Sequence, residues 1–183
     1  MVQLQDLNKI RGELAVRSLE NVKDREEAVK SHLDSKEHVS KLELEWGSCD
    51  DARDMDLGFQ VLDALKPHQN LEDLTISGYP GVRSPSWLES GWLRRLKLIC
   101  LRDCNRWEIL PPLGDLPLLR TLQVRRMEEL KALGHEFFGL AGFPSLEILL
   151  LERLPKLEWC LVDNDKVLQI GRASCRERVY VLV

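Results

Sequence analysis

The stretch LPPLGDLPLLRTLQVRRMEEL (Leu110–Leu130) decides the fold. After a proline-rich turn, its residues Leu119, Leu122, Val124, Met127 and Leu130 stand at offsets of three, two, three and three. That spacing suits neither a helix, with its period near 3.6, nor an isolated strand, with its period of two. The figure recurs along the chain. It appears at Leu71, Leu74, Ile76, Tyr79 and Val82, at Leu96, Ile99, Leu101, Cys104, Trp107 and Leu110, and at Leu146, Leu149, Leu151, Leu154 and Leu157. Fainter copies lie at Val39, Leu42 and Leu44, and at Ile10, Leu14, Val16, Leu19 and Val22.

The distance from Ile76 to Leu101 is 25 residues, from there to Val124 it is 23, and from there to Leu151 it is 27. These periods lie in or near the leucine-rich-repeat range. The L-x-L core is then a short strand whose two aliphatic residues point inward while the residue between them faces outward. One turn cannot bury its leucines alone, so about six turns are expected to stack, their strands pairing into one parallel sheet. The expected fold class is α/β, a leucine-rich-repeat solenoid with a parallel concave sheet. Leu42, Leu44, Leu74, Ile76, Ile99, Leu101, Leu122, Val124, Leu149 and Leu151 should share one core. Cys104 falls where the repeat places Asn or Cys to bond at the inward bend.

Two longer segments read as convex helices. In NVKDREEAVKSHLDSKEHV, Asp24 followed by Glu27 resembles a capping box, with Val22, Val29 and Leu33 on an inward face. In DMDLGFQVLDALKPHQNL, Leu57, Val61 and Leu65 recur every four residues until Pro67 ends the pattern. The later turns, LPPLGDLP and GFPSL, read as 3₁₀ or irregular. Trp46, Trp107 and Trp159 are expected as apolar plugs at turn edges rather than as an exposed aromatic strip.

Composition narrows function. In 183 residues, 44% are hydrophobic and 31% charged, which suits a folded globular chain. A net charge of -4 gives no global attraction to nucleic acid or anionic membrane, so no nucleic-acid partner is expected. No apolar run reaches the roughly 18 residues of a membrane span, and the first residues lack the pattern of a signal peptide; a cytoplasmic location is expected. Five cysteines with no CxxC pair read as reduced packing thiols rather than a disulfide framework or zinc site. His32, His38, His68 and His135 occur singly, without a nucleophile elbow or a glycine-rich loop, so neither catalysis nor a cofactor is expected.

The phrases IRGELAVRSLENV, HVSKLELEW, SPSWL, LPPLGDLPLLRTLQV, LGHEFFG and FPSLEILLLERLPKLEW follow one another in a familiar order. On these residues, from Leu4 to Trp159, the chain resembles the leucine-rich-repeat region of plant intracellular nucleotide-binding resistance proteins, particularly those of grasses. The resemblance implies a scaffold that recognises a pathogen effector or restrains the receptor's own nucleotide-binding module. No G-x-x-x-x-G-K-[ST] loop occurs, so nucleotide binding does not carry over to this chain. A nonfunctional truncated gene product, or a hydrolase using the repeat surface, are the alternatives.

The repeat domain is assigned to residues 1–168. The remainder, 169–183, contains QIGRASCRERV, which has no repeat spacing and resembles translated sequencing adapter; it is expected to be non-native and separable from the solenoid.

A charge asymmetry underlies the small net value. From Val39 to Pro80, three basic residues face nine acidic ones, for a net of -6; from Arg94 to Lys131, nine basic face five acidic, for +4. Aligning the strands puts Arg102 beside Arg125 and Arg126 beside Arg153, about 5 Å apart between turns. These four arginines are the candidate partner-binding residues, flanking the concave surface and facing an acidic protein, with ordinary solvated charge as the alternative.

Overall fold

The computed structural model describes residues 10–47, 53–89, 91–163, 166–168 and 178–182. Six strands form a parallel sheet in chain order: β1 (Gly12–Val16), β2 (Val39–Glu45), β3 (Asp73–Ser77), β4 (Leu98–Arg102), β5 (Thr121–Arg125) and β7 (Ile148–Glu152). The register is the one the repeat dictates. Leu14, Leu42, Leu74, Ile99, Leu122 and Leu149 align in one row, and Val16, Leu44, Ile76, Leu101, Val124 and Leu151 in the next. All ten expected core residues are buried in a single cluster. Each fully buried aliphatic side chain contributes about 1.5–3 kcal/mol, so the rows themselves bind turn to turn.

A second, smaller sheet follows the other side of the later turns, with β6 (Ala132–Leu133) parallel to β8 (Trp159–Asp163) and β9 (Lys166–Leu168) antiparallel to β8. The last strand, β10 (Arg178–Leu182), pairs antiparallel with β7, opposite to the sense of the repeat. The thiol-bearing stretch of the tail, 169–177, lies outside the described residues, as does Cys49.

Helix α1 (Arg25–Val29) begins as expected: Asp24 Oδ1 accepts from the Glu27 amide at 2.7 Å, and the Glu27 carboxylate accepts in return from the amide of Lys23, 3.1 Å away. Its inward face needs correcting. Val29 is 42% exposed, whereas Ala28 is fully buried. With only five residues the helix turns Ala28 toward the core, and Leu33 is buried separately, on a 3₁₀ turn at Leu33–Ser35. Helix α2 (Arg53–Ala64) buries Val61, Leu62 and the following Leu65, with Leu57 half-buried beside them. Single-turn helices α3 (Ser86–Glu89) and α4 (His135–Phe138) were not foreseen, while the LPPLGDLP segment holds the expected 3₁₀ turn at Leu113–Asp115.

Neighbouring turns are also tied by indoles. Trp87 Nε1 donates to the Leu62 carbonyl and Trp92 Nε1 to that of Pro67, both at 3.0 Å. Trp46 and Trp107 are buried plugs, with Tyr79 between them at centroid distances of 5.3 and 5.5 Å. The edge-to-face geometry adds attraction beyond area burial. The third plug, Trp159, lies in β8, and its side chain is outside the described residues.

Candidate functional site at the strand ends

After β3, β4, β5 and β7 the chain turns inward, and the turn is made in the left-handed region. Gly78, Asp103, Arg126 and Arg153 occupy the same post-strand position with φ of +67°, +58°, +51° and +55°. The amide there still extends the ladder: Gly78 N donates to Arg102 O, Asp103 N to Arg125 O, and Arg126 N to Glu152 O, at 2.8–3.1 Å. One residue later, Cys104 fills the bend as expected, its buried thiol 3.4 Å from the Arg102 carbonyl and 3.8 Å from that of Ile76. Burial pushes this thiol up to about 12, so it is a packing group and not a nucleophile.

The four candidate arginines gather at this rim. Arg102 and Arg125 are direct register partners on β4 and β5, and Arg126 and Arg153 occupy equivalent bends on successive turns. Repulsion among them is relieved by acids from neighbouring turns. Arg102 Nη2 lies 2.7 Å from Glu43 Oε1, and its Nε donates to Ser77 Oγ. Arg126 Nη2 lies 2.6 Å from Asp103 Oδ2. Arg125 donates to Gln123 Oε1 at 2.7 Å, and its Nε stands 3.8 Å from Glu152 Oε2 in an ion pair without a hydrogen bond. Arg153 is exposed and has no ion pair among the described residues.

An open depression of about 650 Å³ lies along the rim, lined by Trp46, Gly47, Gly78, Tyr79, Arg102, Asp103, Asn105, Arg106 and Arg126 among others. It takes in Arg102 and Arg126, while Arg125 and Arg153 do not line it. Arg106 was missed by the strand alignment because it sits on the turn beyond the bend; among the described residues it makes no ion pair. The signal available was its place immediately before the plug Trp107, whose burial fixes the direction of its neighbours. Three guanidinium groups and the carboxylates of Glu45 and Asp103 line the depression, with Arg102 and Arg126 already ion-paired to Glu43 and Asp103. No group of His, Cys, Asp and Glu among the described residues is placed to hold a metal ion, and no described helix is long and apolar enough to cross a membrane.

Parallel rows of buried leucines, a left-handed bend after each of β3, β4, β5 and β7, and a Cys at one of these bends define a leucine-rich-repeat protein. The chain belongs to the leucine-rich-repeat family described as R13L1/DRL21 LRRs, whose model matches residues 1–127. It is similar to disease resistance protein RGA2 of Solanum bulbocastanum, 32% identical over 155 residues, covering 80% of this chain and 16% of that protein. It is likewise similar to disease resistance RPP13-like protein 1 of Arabidopsis thaliana, 30% identical over 174 residues, with 86% and 16% covered. The chain thus spans about one-sixth of the length of these relatives. No solved structure matches it at a comparable level.

Proposed function

We propose that this chain is the recognition surface of a plant immune receptor, and that Arg102, Arg125, Arg126 and Arg153 receive an acidic protein face. That face belongs either to a pathogen effector or to the receptor's own nucleotide-binding module. The observation that carries the reading is the gathering of guanidinium groups from β4, β5 and β7 on one rim, beside an open depression. The names of the relatives support the setting in plant defence. Rim charges of this kind steer association and set partner choice more than they add raw affinity.

The test is association of this chain with the nucleotide-binding module of the same receptor, expressed separately, at low and high salt. The double variant R125E/R126E should weaken binding, and salt should weaken wild-type binding in parallel. Because R125E sets a second carboxylate beside Glu152, R126E/R153E provides a milder companion. Binding by both variants that equals wild type at every salt concentration would remove the arginine rim from consideration.

A further inference from the structure

Beyond the bend that follows β4, Trp107 N donates to the Cys104 carbonyl at 3.2 Å, so Asn105 and Arg106 are the two corner residues of a tight turn. The side chains that flank the corner, Cys104 and Trp107, are fully buried, and the Asn105 carbonyl accepts from the Glu129 amide of the next turn at 3.2 Å. The corner is held at both ends and from one side. Its backbone therefore needs no further ordering when Arg106 meets a ligand.

Counted from the buried residue after the bend (Tyr79, Cys104, Met127 and Leu154), the same corner position is held by Gly81, Arg106, Glu129 and Lys156 in successive turns. The last two satisfy each other, Lys156 Nζ reaching both Glu129 carboxylate oxygens at 2.6 and 2.7 Å. The preceding turn offers Arg106 only Pro80 and Gly81, which carry no charge. Arg106 is thus left over: it is half-buried, yet among the described residues its side chain makes neither an ion pair nor a hydrogen bond. Charge accounting at the 650 Å³ depression agrees. Arg102 is paired with Glu43, Arg126 with Asp103, and Glu45 with Arg17, whose Nε lies 3.3 Å from Glu45 Oε2. Of the charged residues that line the depression, Arg106 alone is uncompensated among the described residues.

We infer that Arg106 is the residue through which this rim receives a single carboxylate of an acidic protein partner, with the side-chain amide of Asn105, which also lines the depression, as a second donor. The inference rests on the reading of the rim as a partner-binding surface. It assigns the recognition to the uncommitted guanidinium and leaves the Arg102 and Arg126 pairs as a fixed frame around it. A planar guanidinium binds the two oxygens of a carboxylate side by side, and one uncompensated positive charge matches one carboxylate. A phosphorylated side chain carries a charge of about −1.5 to −2, which Arg106 alone does not balance beside Glu45 and Asp103.

The test uses the full chain with isotope-labelled arginine side chains, titrated with acetyl-Gly-Glu-Gly-amide, acetyl-Gly-Gln-Gly-amide and acetyl-Gly-phosphoserine-Gly-amide. The glutamate peptide should shift the Arg106 Nε–Hε resonance saturably, and further than that of the exposed Arg94. The glutamine peptide should bind about tenfold more weakly, as expected on losing a charge-assisted contact. R106Q should weaken the glutamate peptide by a similar factor, read on the Arg102 and Arg126 resonances; R106K should retain part of the binding and R94Q all of it. Equal binding of the glutamate and glutamine peptides, tighter binding of the phosphoserine peptide, or full binding by R106Q would each overturn the proposal. Association with the receptor's nucleotide-binding module separates it from the wider reading. Unchanged association of R106Q, where R126E/R153E weakens it, would overturn the role of Arg106 and leave the rim standing. The expected peptide results with a module indifferent to every rim variant would support the carboxylate site and remove the rim reading instead.

Discussion

Arg102 reaches diagonally over Ser77 of β3 to place its Nη2 2.7 Å from Oε1 of Glu43, two strands away. The pair therefore clamps three successive turns rather than two. Its side chains remain 36% and 24% exposed, so screening leaves a modest contribution. Glu43→Gln is expected to cost about 0.5–1 kcal/mol in urea denaturation. The same change releases Arg102 for an acidic partner, so association should tighten even as stability falls. Loss of both together would mean that Arg102 is purely a clamp.

The bends after β3, β4, β5 and β7 hold two kinds of left-handed residue. A Cβ on Gly78 would meet the Trp46 carbonyl oxygen at 2.4 Å, so Gly78→Ala combines backbone strain with a clash against a fixed atom. A loss of about 2–4 kcal/mol is expected. Arg153 adopts the same conformation with φ +55° while exposed, and Arg153→Gly should stabilise by up to about 1 kcal/mol by removing that strain. Thermal melts of the two variants moving in the same direction would contradict the account.

Cys104 makes stability depend on alkaline pH. Burial raises its thiol from 9.0 to about 12, so the folded state resists an ionisation that the unfolded chain undergoes more readily. The contribution is intact below pH 9 and is lost progressively as pH rises toward 12, with a slope of up to about 1.4 kcal/mol per pH unit. Tyr79, whose hydroxyl burial also raises, adds its own loss above pH 10. Between pH 9 and 10 the unfolding free energy of Cys104→Ala should fall less steeply than that of the wild type. Identical slopes would show that the thiol does not titrate differently on folding.

Most of this fold was legible because the repeat is a statement about burial. Offsets of two and three fix which residues of each turn face the core, and the observed register aligns Leu74, Ile99 and Leu122 as the spacing requires. What escaped was set by contacts between turns. Val29 fits an inward pattern on paper, yet α1 is too short to carry the pattern through, and Ala28 takes the buried place. The rim arginines could be aligned from sequence, but the reach of Arg102 to Glu43, 59 residues earlier, depends on side-chain direction across an intervening strand. Arg106 escaped because it lies outside the strand pattern altogether.

The antiparallel β10 covers the outer edge of β7 with a five-residue register from Arg178 to Leu182. Removing residues 169–183 should leave the circular dichroism of the solenoid largely intact, because the leucine rows lie within the earlier turns. It should also open a strand edge, and light scattering should then report increased self-association. A trimmed chain that stays monomeric at the same concentration would show that β10 does not protect this edge.

Tyr79 is the link through which the aromatic plugs communicate between turns. Its ring stands edge-to-face against both Trp46 and Trp107, and its hydroxyl donates to the Arg83 carbonyl at 2.8 Å. These are separable contributions. Tyr79→Phe keeps the ring and removes the hydrogen bond, for an expected cost of about 1 kcal/mol. Tyr79→Ala removes the ring between two buried indoles and should cost about 3–5 kcal/mol. In a solenoid, turns are coupled only through nearest-neighbour contacts, so the alanine variant should also broaden the denaturation transition and lower its slope, whereas the phenylalanine variant should shift the midpoint alone. An alanine variant that unfolds at a lower midpoint with unchanged slope would place the coupling in the leucine rows rather than in the aromatic stack.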